Sequence, residues 1–168
     1  MQGYAWNAKK KRNMTIRNKN VLDVLKFSAI FFGIVLLDQL TKFFAANYVS
    51  DGMSKEVIKN FLNITSVSNT GIAFGLFRNS NIFLIILSFL VLITLFSFRK
   101  VFFERFFSKV GLILMLSGIT GNLIDRIRLG YIVDFIDLNF WPVFNLSDAS
   151  IFLGVIFLCI QYFSRSVR

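Results

Sequence analysis

Several aspartates in this 168-residue sequence stand beside strongly apolar segments. Asp134 and Asp148 are separated by a short connection, and Asp148 directly precedes the apolar run "ASIFLGVIFLCI". Two carboxylates a few ångströms apart do not both ionise easily, so one keeps a proton and serves as acid while the other serves as base. Such a pair can activate water against an amide carbonyl and protonate the leaving amine. Hydrolysis by paired aspartates is therefore one hypothesis for this chain.

The composition removes most other routes to hydrolysis. The sequence has no histidine, which excludes Ser-His, Cys-His and HExxH chemistry. It also lacks a phosphate-binding loop pattern and a Cys/His metal set. A Ser-Lys pair that uses Lys42 stays open, although no particular serine is indicated. Residue types alone do not choose among the aspartates that could do this work, which are Asp125, Asp134, Asp137 and Asp148.

The elements that must position these residues are apolar and long. Hydrophobic residues make up 55% of the chain, more than is usual for a soluble domain. A membrane-spanning helix needs about 20 mostly apolar residues. Four windows meet this requirement, at about Leu25–Ala46, Ile82–Phe98, Val110–Ile127 and Ser147–Phe163. The sequence therefore predicts an all-α membrane protein with four transmembrane helices.

Basic residues predict the orientation of these helices. The formal charge is +10, which alone would also suit a nucleic-acid-binding protein. The basic residues, however, lie before the first window (Lys9–Asn20), between the second and third (Arg99–Lys109) and at the C-terminus. By the positive-inside rule these parts face the cytoplasm, so we expect both termini to be cytoplasmic and no nucleic-acid partner. The connections Asn47–Asn81 and Arg128–Leu146 then face outward.

The chain divides into a short tail and one membrane domain by composition. Residues 1–20 are basic and predict a disordered cytoplasmic tail, and residues 21–168 predict a single four-helix domain. The apolar segment after the tail is too long for a signal-peptide core and no cleavage site follows it. The stretch "VIKNFLNITSVSNTGIAFGLF" mixes β-branched and aromatic residues with glycine and asparagine. It predicts a small β-structured module on the outer face, at about residues 49–78.

Charged residues also occur inside the predicted spans, where they are costly and often functional. Asp38 and Lys42 are four residues apart and share a helix face. A second polar group follows "SGIT" near the end of the third span and comprises Asn122, Asp125 and Arg126. A purely structural role in ion pairing and helix packing explains both polar groups. A functional role explains them equally well. Asp148 likewise fits a capping acid in a helix whose cap is Asn145 or Ser147.

Five motifs in order resemble those of the lipoprotein signal peptidases, the bacterial signal peptidase II family. They are "DQLTK" (38–42), "NTGIAFG" (69–75), "GNLIDR" (121–126), "VDFID" (133–137) and "FNLSDASI" (144–151). Ser147 stands where the family usually has alanine. The resemblance covers about residues 35–154, and the layout of four spans agrees with it.

The resemblance implies a function and assigns roles that the residues alone leave open. It implies an aspartic endopeptidase of the bacterial inner membrane, active near the outer face, which removes the signal peptide just before a diacylglyceryl-modified cysteine of a prolipoprotein. Asp134 and Asp148 are the implied catalytic pair. The resemblance also implies that membrane lipids surround the protein and that globomycin-type cyclic peptides inhibit it. It implies no metal or organic cofactor. The implied substrate-binding and supporting residues are Asp38, Lys42, Asn69, Gly71, Asn122, Asp125, Arg126 and Asn145.

Two other classes of function compete with this interpretation. In a small transporter or proton-relay protein, Asp38, Lys42 and Asp148 would pass ions. These residues, however, lie near one face and do not line a path across the membrane, and the sequence shows no repeat of the transporter kind. In a structural membrane protein without chemistry, the polar residues would serve packing alone.

Overall fold

The computed structural model describes residues 2–71, 77, 79–102 and 105–166, with side chains from residue 21 onward except 101, 165 and 166. The chain divides into two compact units, Met1–Ile30 and Phe31–Arg168. The elements in chain order are α1 (Gln2–Tyr48), β1 (Ser54–Ile58), β2 (Leu62–Asn69), α2 (Asn81–Ser97), α3 (Arg99–Phe102), α4 (Phe106–Leu129), β3 (Ile132–Asp137) and α5 (Leu146–Ser166).

The N-terminal unit differs from the expectation for the basic tail. Helix α1 begins at Gln2, so residues 2–20 have helical backbone where the sequence predicts disorder. This stretch contains no proline, and its only glycine is Gly3. Nothing in its backbone chemistry therefore prevents a continuous helix.

The second unit contains apolar helices of membrane-spanning length. Phe106–Leu129 and Leu146–Ser164 are long and apolar enough to cross a membrane, and α2 is a shorter apolar helix of 17 residues. A helix of 24 residues is about 36 Å long at 1.5 Å per residue, which exceeds the hydrocarbon core of a bilayer. Helix α5 leaves Phe152 and Phe163 mostly exposed. These features support membrane character, while the count of four spans stays a prediction.

Helices α4 and α5 pack closely because glycines line their contact. A Cβ atom built on Gly111 would lie 2.8 Å from the carbonyl oxygen of Gly154, and one on Gly154 would lie 2.7 Å from the carbonyl oxygen of Gly111. A Cβ on Gly118 would overlap the carbonyl oxygen of Ser147. Small residues allow backbones to approach in this way. The consequence is that the C-terminal half of α4 is held against the first turn of α5.

We expect Gly118→Ala to destabilise the protein by about 1–3 kcal/mol, because the added methyl group meets backbone and the helices must separate. The matched control is Gly33→Ala in α1, where a Cβ meets nothing within 4 Å. Alanine also favours helix by about 1 kcal/mol over glycine, so the control should match or exceed the wild type. Thermal unfolding in detergent measures both variants. Equal midpoints for the two would contradict the packing described for α4 and α5.

A three-stranded antiparallel sheet lies beside the helices, in the order β1-β2-β3. Ser54 pairs with Thr65 across β1 and β2, and Val67 pairs with Asp134 across β2 and β3. The register shifts between Ile64 and Val67. The first two strands fall within the predicted module at residues 49–78.

Strand β3 lies in the connection Arg128–Leu146, outside the β-structured module predicted at about residues 49–78. The segment "IVDFID" completes the sheet from a distant part of the chain. Its first four residues are all buried, so it lacks the apolar-polar alternation that identifies a half-exposed strand. The β structure is thus assembled from two connections between helices, one between α1 and α2 and the other between α4 and α5.

Candidate active site

Asn145 organises the beginning of α5. Its Oδ1 accepts a hydrogen bond from the backbone N–H of Asp148 at 2.9 Å, and its own backbone N–H donates to Asp148 Oδ2 at 3.3 Å. This reciprocal pattern is a capping box, which satisfies the free N–H groups of the first helical turn. Of the two caps that the sequence allows, the structure uses Asn145. The box also fixes the position of the Asp148 carboxylate.

The same asparagine reaches the other candidate aspartate. Asn145 Nδ2 donates to Asp134 Oδ1 at 2.6 Å. Asp134 is placed there by β3, and only 2% of it is exposed. One fully buried residue therefore bonds both carboxylates, Asp134 through its side-chain amide and Asp148 through its backbone N–H. The structure brings Asp134 and Asp148 together, although they come from a strand and a helix.

The second oxygen of Asp134 is held from β2. Asn69 Nδ2 donates to Asp134 Oδ2 at 2.8 Å, and Asn69 Oδ1 accepts from the backbone N–H of Gly71 at 3.0 Å. The carbonyl oxygen of Gly71 accepts from Arg126 Nη2 at 2.9 Å. The end of the strand is thereby attached to α4. Both Asp134 oxygens accept from amide groups, and within the described residues neither forms a salt bridge.

Lys42 holds the opposite side of the site. Its Nζ lies 2.9 Å from Asp38 Oδ2 and 2.8 Å from Asp125 Oδ2, and it donates to Asn122 Oδ1 at 2.9 Å. All three ammonium protons thus have an acceptor. The four side chains are at most 5% exposed. A buried lysine between two buried acids gives each charge its partner.

Asn122 connects this charged group to the candidate pair. Lys42 donates to the amide oxygen of Asn122, Oδ1. The amide nitrogen of Asn122, Nδ2, therefore points toward Asp148 and donates to Asp148 Oδ1 at 2.8 Å. All ten residues to which the family resemblance assigns a role therefore lie in one network. In order of contact these are Arg126, Gly71, Asn69, Asp134, Asn145, Asp148, Asn122 and Lys42, with Asp38 and Asp125 both on Lys42.

Asp38 also stabilises α5. Its Oδ1 accepts the backbone N–H of Ser147 at 2.8 Å, so a carboxylate lies at the positive end of the helix. The Ser147 hydroxyl is fully buried and has no hydrogen-bond partner among the described residues. It lies against Gly121, where any side chain would overlap it. Gly121 thus makes room for both Asp38 and Ser147.

The electrostatic environment favours a proton on Asp134. Burial and the neighbouring charge of Asp148 raise the pKa of Asp134 to about 7, although hydrogen bonds from Asn69 and Asn145 act in the opposite direction. A carboxyl group with such a pKa is partly protonated near neutral pH. It can therefore donate a proton where an ordinary aspartate cannot. No group of three or more acidic, cysteine or histidine side chains in the described ranges is arranged to hold a metal ion.

The structure separates Asp137 from the other candidates. Its carboxylate accepts from Thr65 Oγ1 and from the backbone N–H of Asn139, at the far end of β3. Two further residues join the site without having been assigned a role from sequence. Asn81 Nδ2 donates to the carbonyl oxygen of Arg126, and Gln39 contacts Asp125. Gln39 stands within the "DQLTK" motif, and this position is the sequence feature that could have indicated its place in the site.

Comparison with known proteins gives consistent results. Residues 30–164 match the model of the Peptidase_A8 family, described as signal peptidase (SPase) II. A lipoprotein signal peptidase of Moorella thermoacetica is 43% identical over 129 residues, covering 76% of this chain and 86% of that protein. One of Staphylococcus aureus is 41% identical over 132 residues, covering 76% and 81%. A solved structure described as a bacterial membrane enzyme superposes with a TM-score of 0.78 at 36% identity, covering 84% of this chain and 89% of that one.

Proposed function

The chain belongs to the signal peptidase II family, and from this premise we propose that it is an aspartic endopeptidase of lipoprotein precursors. It removes the signal peptide just before a cysteine that carries diacylglycerol. The observation that carries the proposal is the position of Asn145, which bonds Asp134 and Asp148 at once. A structural role for either aspartate alone does not need this shared contact.

The two carboxylates divide the work according to their surroundings. Asp148 serves as the base: it is oriented by donors from Asn122 and Asn145 and accepts a proton from water. The water oxygen attacks the scissile carbonyl carbon while Asp134 gives its proton to the carbonyl oxygen. In the second half, Asp148 passes its proton to the leaving nitrogen as the C–N bond breaks. Asp134 recovers its proton from the tetrahedral intermediate, which becomes the new carboxyl end of the signal peptide.

The site suits a substrate that lies in a membrane. Asp148 is in the first turn of an apolar helix with exposed phenylalanines, so a precursor anchored in lipid can approach at that depth. We place four spans across the bacterial inner membrane, with both termini in the cytoplasm and the site near the outer face. We propose membrane lipids as its surroundings and globomycin-type cyclic peptides as its inhibitors, as the family resemblance implies.

A direct test compares two forms of one prolipoprotein, with and without the diacylglyceryl group, in detergent with the purified protein. We expect cleavage of the lipid-modified precursor only, seen as a mobility shift on a gel. Equal cleavage of both forms would contradict the proposed substrate, and cleavage of neither by well-folded protein would contradict the proposed activity.

The pH dependence of kcat/KM distinguishes the aspartate pair from a Ser-Lys mechanism. The pKa of Asp134 is raised to about 7, so its proton is present below that pH and lost above it. We expect kcat/KM to fall by about tenfold for each pH unit above 7, because the acid of the pair is gone. A neutral lysine base requires the opposite, a rate that rises through this range. The rising profile would exclude the pair.

A further inference from the structure

Gln39 makes more contacts with the site than its partly exposed position suggests. Its Nε2 donates to Asp125 Oδ1 at 2.8 Å and to the carbonyl oxygen of Gly121 at 3.2 Å, and lies 3.3 Å from Asp38 Oδ2. Its Oε1 accepts from Arg128 Nη1 at 3.3 Å. Acceptors on one side and a guanidinium on the other admit only one orientation of the amide.

Asp125 transmits this contact to both members of the pair. Its Oδ2 accepts from Lys42, which orients Asn122 and through it Asp148. The same Oδ2 lies 3.4 Å from the backbone nitrogen of Val133, the residue that precedes Asp134. Oδ1, the other oxygen, is held by Gln39. A rotation of the Asp125 carboxylate would therefore disturb the supports of both carboxylates.

We propose that Gln39 is a positioning residue for the hydrolytic reaction, a role that rests on the proposed function. It fixes the Asp125 carboxylate so that Lys42 and Val133 remain in their observed positions. Its short contact within the site is with Asp125, and its hydrogen bonds are to residues other than Asp134 and Asp148. The expected signature is a loss in kcat without a matching rise in KM, since the residue orients catalytic groups and does not bind substrate.

Two substitutions test this role on the full-length protein with lipid-modified precursor. Gln39→Met keeps the volume but removes every donor, and we expect kcat to fall between about tenfold and hundredfold at unchanged KM. Gln39→Glu places a new carboxylate against Asp125. We expect its kcat, relative to wild type, to recover as the pH falls from about 7 to about 5, because the new carboxyl group then gains a proton and can donate again.

The matched control is Thr41→Val, two residues along the same helix. Within the part of the chain that the structure describes, the Thr41 hydroxyl donates only to carbonyl oxygens of its own helix, those of Leu37 and Asp38. Its removal should therefore leave kcat unchanged. Wild-type kcat in both Gln39 variants would overturn the proposal. A loss in Gln39→Glu that does not depend on pH would also overturn it, since general damage has no reason to recover in acid. A wild-type protein that cuts nothing overturns the proposed function and this role with it.

Discussion

Asp134→Asn and Asp148→Asn are each expected to lower the rate of precursor cleavage by about 10²- to 10⁴-fold, the contribution typical of a general acid or base. Asparagine has nearly the shape of aspartate but neither takes up nor releases a proton. At Asp134 the change removes the proton that the buried carboxyl group holds near neutral pH. At Asp148 it removes the group that deprotonates water. Single-turnover cleavage measured by gel gives both rates.

Asp137→Asn is the matched control for this experiment. Asp137 lies in the same strand as Asp134, but its partners Thr65 and Asn139 are outside the network of the site. We expect this variant to cleave at close to the wild-type rate. If Asp137→Asn were as inactive as Asp134→Asn, loss of the strand's structure would explain both results. Full activity in either Asp134→Asn or Asp148→Asn would exclude the pair.

Lys42→Met is expected to destabilise the protein by about 3–5 kcal/mol, the usual effect of removing one partner from a buried ion pair. Lys42 lies between Asp38 and Asp125, which are 0% and 3% exposed. Without the ammonium group, two buried carboxylates lose the positive charge that lies between them. Asn122 also loses the contact that directs its amide toward Asp148. Thermal unfolding in detergent measures the stability.

The double variant Lys42→Met with Asp125→Asn separates charge from packing. It removes one of the two uncompensated carboxylates, so we expect it to be more stable than Lys42→Met alone. Its activity should stay low, because Asn122 still lacks its lysine. If Asp125→Asn destabilised the Lys42→Met protein further, the cost would lie in packing and the buried ion pair would not explain the effect.

Local sequence patterns predicted the helical elements around the site well. The apolar windows at Ile82–Phe98, Val110–Ile127 and Ser147–Phe163 lie within a few residues of α2, α4 and α5. The acid in the first turn of α5 was also predicted from capping chemistry. These features depend on neighbours within one or two helical turns, and such neighbours are visible in the sequence.

The assembly of the site could not be predicted from such patterns. The backbone N–H of Ser147 donates to Asp38, which is 109 residues away in sequence. Gln39 donates to Asp125, which is 86 residues away. Strand β3 is buried without alternation and was missed. The residues alone left four aspartates open, and only the family resemblance singled out Asp134 and Asp148. The network of contacts gives a physical reason for that distinction, since Asp137 lies outside it.

The most direct test of paired-aspartate hydrolysis is the mass of enzyme and products during turnover of a lipid-modified precursor. The account predicts two fragments, produced by cleavage of the bond before the lipidated cysteine. The masses of the two fragments sum to the mass of the precursor plus one water. It also predicts an enzyme of unchanged mass throughout, because water attacks directly and no acyl-enzyme forms. An enzyme that carries the signal peptide as an ester on serine would contradict the account, and so would the same fragments formed at the wild-type rate by Asp134→Asn.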